Sequence, residues 1–412
     1  MSESSKSPLA SAALLLALPL LDGVVSSAAF APFSLAPLAF LTGTLTLFVV
    51  RRLSLPLAAL AAYLYGVSFA VAVAPWVYTA MHEHYHIGAL ASAAFNVFIV
   101  GGGVGFYLAT PFIIWRWLCG PAGGEQALSR WQRVLSAASL FYLFELLRTH
   151  GVLSMPWGLI GAGVAGSELL SQSADLFGAL GLSFASMLCS ALLVEAIEEW
   201  LAAGERSWIM LAKNRAFLGA LAVPVALLVY GGVRYAQVAA ELEEPSGKTL
   251  KVAAVQANIP QGDRWKADLV PRTMGTHIKL SAEVARDFEP DLIVWPETAM
   301  NTYITDPGNE YQRRIHQIAF EHDAHFLLGG PHAEFTDAGE PLYFNSIFQL
   351  DPRRKFVARY DKIELLAFAE YNPLSNAPFF PRPAEVPRDY SPGEKPGIFD
   401  VKGVKLGAMI CF

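Results

Sequence analysis

Long apolar runs separated by short polar connections make up the first part of the chain. A helix that crosses the hydrocarbon core of a bilayer needs about 20 mainly apolar residues. The runs predict seven membrane-spanning helices, near residues 9–30, 36–50, 55–80, 88–118, 134–149, 175–197 and 215–233. The second run is short and fits a tilted or partial span. The first run has no obvious small-residue cleavage site and is followed by more spans, so we interpret it as a retained helix rather than a signal peptide.

After Lys251 the pattern changes to that of an α/β domain. Three buried strands are predicted at "LKVAAVQANI", "DLIVWPET" and "HFLLGGP", with helices over 268–288 and 308–323. The segments "YFNSIFQLD" and "KFVARYDK" predict a hairpin around Asp351-Pro352. The final segment, "GIFDVKGVKLGAMICF", predicts two more strands with a turn at Lys402-Gly403. Alternating strands and helices indicate helices packed on a strand-rich core.

Composition supports this division. The chain of 412 residues is 54% hydrophobic and 16% charged, whereas about a quarter of a typical soluble protein is charged. Of the charged residues, 25 lie in 1–247 and 41 in 248–412. We therefore predict a multi-span transmembrane domain over 1–233, a linker over 234–248 and an α/β domain over 249–412. The net charge of −6 and the lack of a basic tract argue against nucleic acid as a partner.

Lysine and arginine are distributed asymmetrically among the predicted connections. With a cytoplasmic N-terminus, nine basic residues fall on the inner side and only Arg148 borders an outer connection. Because cytoplasmic connections are enriched in lysine and arginine, this pattern predicts that residues 234–412 lie outside the cytoplasm. The inner set is Lys6, Arg51, Arg52, Arg116, Arg130, Arg133, Arg206, Lys213 and Arg215.

Two polar motifs near the membrane leave alternatives open. Glu145 and Arg148 lie three residues apart on one helical face, as a salt-bridged pair or as a site for a lipid head group. The segment "MHEHYH" carries His82, His84 and His86 in a predicted outer loop. An interfacial loop is the simpler interpretation, because no cluster of carboxylates or cysteines stands nearby to complete a metal site. We expect no metal and no organic cofactor.

Three residues at strand ends carry the candidate chemistry. Glu297 follows "DLIVWP", Lys362 follows "FVARYD" and Cys411 follows "LGAMI". The other cysteines, Cys119 and Cys189, lie in or beside apolar runs and are interpreted as core or lipid-facing residues. A carboxylate, an ammonium and a thiol in one pocket would suit acyl transfer, with the lysine favouring the thiolate and the oxyanion. From spacing alone, surface ion pairs and a buried core thiol are equally open.

Motifs along the second half resemble the carbon-nitrogen hydrolase (nitrilase) superfamily. They are "VAAVQANIPQGDRW", "DLIVWPETA", "LLGGP", "YFNSIFQLD", "RYDKIELLAFAEYNP" and "GAMICF". Together with "LRTHGVLSMPWGLIGAG" in the first half, they make the chain similar to the apolipoprotein N-acyltransferase family of bacterial lipoprotein maturation. The resemblance implies an αββα sandwich after a helical membrane domain. It also implies a bacterial inner-membrane location with the catalytic domain on the periplasmic face.

Roles carried over from this family fall on six residues. Glu297 would be the general base, Lys362 the oxyanion-stabilising lysine and Cys411 the nucleophile. Glu370, Trp265 and Phe412 match further positions of the family site and are predicted to bind substrate, although Trp265 and Phe412 could equally be core aromatics, and Glu370 could simply orient Lys362. The implied partners are a phospholipid acyl donor and the lipidated N-terminal cysteine of lipoproteins, and we expect a monomer.

The chain departs from the family pattern in two places. Glu364, Ala367 and Ala369 stand where the family commonly has histidine, proline and glycine, which puts the backbone of that loop in question. Family members also continue past the cysteine, so we expect the sandwich to be incomplete, the sequence to be a fragment and the fragment to be inactive.

Two alternatives to an N-acyltransferase stay open. One is a membrane-tethered amidase or nitrilase acting on a small substrate, and the other is a non-catalytic truncated membrane protein.

Overall fold

The computed structural model describes thirteen stretches of the chain. They are residues 8–122, 128–150, 154, 156–204, 207–243, 247–260, 263, 266–304, 306, 308–353, 355–367, 369–372 and 389–411. The chain divides into two compact units, Met1–Glu243 and Glu244–Phe412.

The first unit is helical. Its longer helices pack around a core of small and aromatic side chains that includes Ala58, Tyr65, Phe112 and Ala138. The described α-helices are α1 Pro8–Ser27, α2 Thr44–Val50, α3 Leu55–Val73, α4 Pro75–Thr79, α5 Ala89–Ala94, α6 Gly102–Cys119, α7 Arg130–Arg148, α8 Glu168–Ser171, α9 Ala174–Ala202, α10 Trp208–Ala212 and α11 Arg215–Glu243.

Four helical stretches in the described residues are long and apolar enough to cross a membrane. They are Leu55–Val73, Ala89–Cys119, Ala174–Ala202 and Arg215–Glu243. The predicted runs at 9–30 and 36–50 contain shorter apolar helices, Leu15–Ser27 and Ala36–Val50. The run at 134–149 corresponds to most of α7, which spans Arg130–Arg148. This helix carries Arg130 and Arg133 in its first turn and Arg148 at its end. The prediction of seven spans is therefore not confirmed.

The boundary between the two units falls within the predicted linker over 234–248. Residues 234–243 of that linker form the last turns of α11, which ends at Glu243. Alanine and glutamate recur in this stretch, and both favour helix, so the helix continues after its apolar part ends.

A network of ion pairs joins several helix ends at the C-terminal end of α9. Glu195 contacts Arg133 and Arg51, and Glu198 contacts Arg51 and, at 3.0 Å, Arg52. Glu199 pairs with Arg130 at 2.7 Å and accepts a hydrogen bond from the Asn214 amide at 2.6 Å. The carboxylates thus hold together the end of α2 and the beginnings of α7 and α11. Buried charges of this kind need such partners.

The second unit is built on a five-stranded mixed sheet in the order β1-β2-β3-β4-β5. The first three strands are parallel, and β4 and β5 are antiparallel additions. A separate hairpin pairs β6 with β7. The elements are β1 Val252–Ala254, α12 Val270–Phe288, β2 Leu292–Val294, α13 Glu310–His322, β3 His325–Phe335, β4 Pro341–Asp351, β5 Lys355–Asp361, β6 Gly397–Val401 and β7 Val404–Ala408.

Side chains on the two faces of the sheet pack against different layers. On one face, Ile293, Phe326 and Phe348 bury against α12 and α13. On the other face, Leu327 and Tyr360 pack against the β6–β7 hairpin. The buried residues of this cluster are Leu292, Leu327, Tyr360, Phe399, Val401 and Ile410. The described residues therefore form a helix layer, a sheet and a covering hairpin. β1 and β2 are shorter than predicted, whereas β3 and β4 are longer.

Gly66 and Gly105 meet where α3 crosses α6. A Cβ atom on Gly66 would lie 2.3 Å from the Gly105 carbonyl oxygen, and one on Gly105 would lie 2.8 Å from the Val67 nitrogen. Small residues let membrane helices approach this closely. Gly103 on the same helix differs, because a Cβ there meets nothing within 4 Å among the described residues.

We predict that Gly105→Ala lowers the free energy of unfolding by about 1–3 kcal/mol, because the added methyl group must push the two backbones apart. Gly103→Ala is the control and should leave stability unchanged or slightly higher. Thermal unfolding of both variants in detergent measures the difference. Equal melting temperatures would contradict the close helix crossing.

Candidate active site

Glu297 lies just past the end of β2, on a backbone held tightly against β3. The Trp295 amide donates to the Leu327 carbonyl at 2.9 Å, and the Met300 amide to the Gly329 carbonyl at 3.0 Å. A Cβ atom on Gly329 would come within 2.4 Å of the Pro296 carbonyl oxygen and 2.9 Å of the Glu297 Cα atom. Only glycine at this position lets the Glu297 backbone come so close to the sheet.

Asn345 on β4 connects two carboxylates. Its side-chain amide nitrogen donates to Glu297 Oε1 at 2.7 Å and to Glu370 Oε1 at 2.9 Å. Asn345 is buried, with 3% exposure. Hydrogen bonds to charged groups are worth about 1.5–3 kcal/mol each. This asparagine therefore fixes the separation and orientation of the two glutamates.

Lys362 completes the network from the end of β5. Its ammonium lies 2.8 Å from Glu370 Oε2, and its side chain is only 4% exposed. Its backbone amide donates to the Asn345 carbonyl at 2.8 Å. The structure thus brings Glu297, Lys362 and Glu370 together, with Asn345 between them.

Two hydrogen bonds connect Leu366 to Glu370, in the segment where the sequence departs from the family pattern. Glu370 Oε2 accepts a hydrogen bond from the Leu366 amide at 2.8 Å, and the Glu370 amide donates to the Leu366 carbonyl at 2.8 Å.

Tyr390 borders the same network. Its amide donates to the Glu370 carbonyl at 2.8 Å. Burial raises the pKa of its phenol to about 12, and the negative charges of Glu370, Tyr303 and Glu297 add to the effect. The phenol therefore stays protonated and neutral beside the glutamates at physiological pH.

The β6–β7 hairpin runs toward this network along the sheet face that carries Asn345. A Cβ on Gly397 would lie 2.8 Å from the Tyr360 ring, and Gln349 donates to the Asp400 carbonyl at 2.6 Å. Gly397 begins β6 beside Tyr360, which pairs with Ile347, and Asp400 near the end of β6 contacts Gln349. β6 therefore crosses the sheet from the level of Ile347 to that of Gln349. The antiparallel β7 runs back toward the level of Asn345.

The far end of the hairpin is attached by an ion pair. Lys402 in the turn contacts Asp291 at 2.8 Å, and this hydrogen bond is the main reason that the pKa of Asp291 is lowered. Lys402 also lies 3.6 Å from Asp323. The turn is thereby attached beside the beginning of β2, at the end of that strand opposite Glu297.

Cys411 comes three residues after β7 ends, rather than at the end of a strand as the sequence predicts. The preceding residue, Ile410, is buried under the hairpin, whereas Cys411 is exposed and has a φ of 55°. Among the described residues, no hydrogen bond or ion pair joins its thiol to Glu297, Lys362 or Glu370. The roles predicted for the Glu297, Lys362 and Cys411 set stay predictions.

Two predicted site residues, Trp265 and Phe412, lie outside the described residues. Asn345 and Tyr390 were not singled out in the sequence. The sequence could have indicated Asn345, because it is a polar residue in the middle of a mostly apolar strand. Within the described part of the chain, no group of three or more histidine, cysteine or acidic residues could hold a metal ion.

Together the described groups suit acyl-transfer chemistry. A carboxylate held by an amide can accept a proton, a buried ammonium can stabilise a developing oxyanion, and a thiol can act as nucleophile. The network lies at the strand ends on the hairpin-covered face, and the chain carrying Cys411 runs toward it. This arrangement agrees with the carbon-nitrogen hydrolase class that the sequence motifs resemble.

Comparison with known proteins agrees with this class. Residues 251–412 match the carbon-nitrogen hydrolase family model, and residues 22–192 match the apolipoprotein N-acyltransferase N-terminal domain. Both units of the chain are therefore similar to the apolipoprotein N-acyltransferases, and the apolar helices of the first unit are those of an integral membrane protein.

Similar curated proteins carry the same family name. The apolipoprotein N-acyltransferase of Methylococcus capsulatus is 29% identical over 88% of this chain and 65% of its own length. That of Geobacter metallireducens is 31% identical over 70% of the chain and 53% of its own length. That of Azotobacter vinelandii is 29% identical over 96% of the chain and 72% of its own length. The chain spans about half to two thirds of the length of the first two relatives.

We predict that Gly397→Ala loosens the β6–β7 hairpin, because the new methyl group would overlap the Tyr360 ring. Amide hydrogen exchange in β6 and β7, followed by mass spectrometry, should become at least about tenfold faster, the equivalent of about 1.4 kcal/mol. Gly407→Ala in the same hairpin is the control, since a Cβ there meets nothing within 4 Å in the described residues. Equal exchange in both variants would disprove the packing of Gly397 on Tyr360.

Proposed function

We propose that this protein transfers an acyl chain from a membrane phospholipid to the N-terminal amine of diacylglyceryl-cysteine lipoproteins, through a thioester on Cys411. The single observation that carries the proposal is the network of Glu297, Asn345, Glu370 and Lys362. It lies in a carbon-nitrogen hydrolase domain that follows an N-acyltransferase membrane domain. No metal or organic cofactor is required by this chemistry.

In the first half-reaction, Glu297 accepts the proton of the Cys411 thiol, and the thiolate attacks the ester carbonyl carbon of the phospholipid. Lys362 stabilises the oxyanion of the tetrahedral intermediate. The carbon–oxygen bond then breaks, and Glu297 returns the proton to the departing alkoxide. The products are a lysophospholipid and the thioester acyl-enzyme.

In the second half-reaction, the lipoprotein amine attacks the thioester carbonyl carbon. Glu297 accepts a proton from the attacking nitrogen, and Lys362 again stabilises the oxyanion. The carbon–sulfur bond then breaks and Glu297 returns the proton to the departing thiolate, which yields the N-acylated lipoprotein and regenerates the Cys411 thiol. Glu370 and Asn345 hold Lys362 and Glu297 in place throughout, while Trp265 and Phe412 are proposed to contact the lipid substrates.

We further propose a multi-pass protein of the bacterial inner membrane, with seven crossings, a periplasmic catalytic domain and a monomeric state. The asymmetry of lysine and arginine supports this orientation. The ion-pair network supports it too, because it gathers Arg51, Arg52, Arg130 and Arg133 at one end of the helical unit. Both substrates would then reach the site by lateral diffusion.

We predict that Cys411→Ala abolishes the acyl-enzyme, because the other cysteines are buried in the helical unit. The protein is purified from its native membranes, incubated with phosphatidylethanolamine and measured by intact mass, with hydroxylamine to release thioesters. Cys119→Ala and Cys189→Ala are the controls and should retain the adduct. A hydroxylamine-labile adduct that survives in Cys411→Ala would refute the proposed nucleophile, and release of free fatty acid without amine transfer would indicate a hydrolase.

We also predict that Asn345→Ala slows acylation of Cys411 by roughly 10–100-fold, since it removes hydrogen bonds worth about 1.5–3 kcal/mol each to charged partners. Acylation is timed by mass spectrometry as above. Asn309→Ala is the control: Asn309 caps α13 through hydrogen bonds to the Tyr311 and Gln312 amides. It should lower stability by about 1 kcal/mol without changing acylation. Equal acylation rates in the wild type and Asn345→Ala would show that Asn345 does not contribute to acylation.

A further inference from the structure

The chain turns sharply just past the end of β2, at the residue that carries the proposed base. The Ala299 amide donates to the Pro296 carbonyl at 3.2 Å and closes a β-turn. Glu297 and Thr298 are the two central residues of this turn. Thr298 has a φ of 49°, whereas Glu297 does not have a positive φ. A positive φ at the second central position alone is the pattern of a type II turn.

Threonine is an unfavourable residue for this position. A type II turn normally carries glycine or asparagine there, and a β-branched residue with a positive φ is a genuine outlier. In the described part of the chain, Thr298 is the only β-branched residue with a positive φ. A conformation of this kind costs free energy and persists only where the surrounding structure imposes it, most often at functional sites.

Both ends of the turn are fixed to β3. The Trp295 amide donates to the Leu327 carbonyl at 2.9 Å before the turn, and the Met300 amide donates to the Gly329 carbonyl at 3.0 Å after it. Met300 is completely buried. The turn therefore cannot relax by moving its ends, and the strain stays at Thr298.

The turn changes the face of the sheet to which Glu297 points. Trp295 and Ala299 are both buried in the cluster under α12 and α13. Because side chains of an extended strand alternate between the two faces, residue 297 would point to the same helix-covered face. Glu297 instead accepts a hydrogen bond from Asn345, which lies on the hairpin-covered face together with Ile347. The turn at Thr298 is the place where this alternation is broken.

We propose that Thr298 is a positioning residue whose left-handed backbone directs the Glu297 carboxylate to the hairpin-covered face, where Asn345 binds it. The strain accompanies this change of face, because a relaxed, negative φ at Thr298 would return the carboxylate toward the helices. The inference rests on the proposed function, in which Glu297 accepts the proton of the Cys411 thiol. It adds a residue that acts on the base through the backbone.

The strain is tested without any measurement of activity. Asparagine tolerates the left-handed region better than threonine, and a cavity of about 350 Å³ lined by Thr298 gives its side chain room. Thr298→Asn should therefore raise the melting temperature in detergent by a few degrees. Thr302→Asn is the matched control and should not raise it, since Thr302 has no positive φ. No rise in Thr298→Asn, or an equal rise in both variants, would show that Thr298 is not strained and would overturn the proposal.

The effect on the base is tested by timing the acylation of Cys411 with phosphatidylethanolamine, by intact mass. Proline fixes φ near −65°, so Thr298→Pro should misplace the carboxylate and slow acylation by roughly 100-fold. Thr298→Asn should keep nearly the wild-type rate, because its backbone stays left-handed. Should Thr298→Pro fail to fold, Thr298→Asn decides: a stabilised variant that has lost acylation would separate the strain from the chemistry and refute the inference.

A double-mutant cycle separates positioning from a general structural role. If Thr298 acts only through Glu297, Thr298→Pro should not slow Glu297→Gln any further, because the carboxylate is already absent. A loss as large as that in the wild-type background would mean that the turn supports the fold in general, and the inference would be wrong. Undiminished acylation in Glu297→Gln alone would instead refute Glu297 as the base and with it the proposed function, whereas the melting temperatures would still decide whether Thr298 is strained.

Discussion

The ammonium of Lys362 is almost completely removed from water, and the arrangement of the candidate site follows from how its charge is compensated. A buried charge that loses its partner costs roughly 3–5 kcal/mol. Glu370 is that partner, and it must itself be fixed to serve as one. The Leu366 amide and the Asn345 side chain fix it, and Asn345 in turn holds Glu297. Groups from four separate segments therefore form one unit, in which moving any member weakens the others.

Close backbone contacts give this unit its rigidity. Gly329 brings β3 against the backbone of Glu297, and Gly393 brings the chain before β6 against the Asp361 carbonyl, with its amide bonded to the Lys362 carbonyl. At each contact a side chain would separate two segments that carry site residues. The glycines thus act on chemistry indirectly, by letting polar groups on different strands come within hydrogen-bonding distance.

The sequence predicted the class of fold well, because strand and helix periodicity is local. The α12 and α13 helices, the β4–β5 hairpin and the Lys402-Gly403 turn were all anticipated in type and place. The sequence could not show that Asn345 bridges two glutamates, since that contact joins residues 48 and 25 positions apart. The predicted apolar run ends at residue 233, whereas α11 continues to Glu243. A run of apolar residues marks the part of a helix that suits a membrane and does not mark where helical hydrogen bonding stops. The convergence of Glu297 and Lys362 was expected only from the family resemblance.

The helical unit follows the same rule of compensated charge on a larger scale. Arg51 and Arg133 were counted as orientation signals, yet both are buried against Glu195 at the end of α9. Acidic residues contribute little to orientation, so the count keeps its meaning even though these arginines are neutralised. Their second task is to hold helix ends together. Because the arginines that carry the proposed orientation signal also close the bundle, removing a single arginine would disturb both at once.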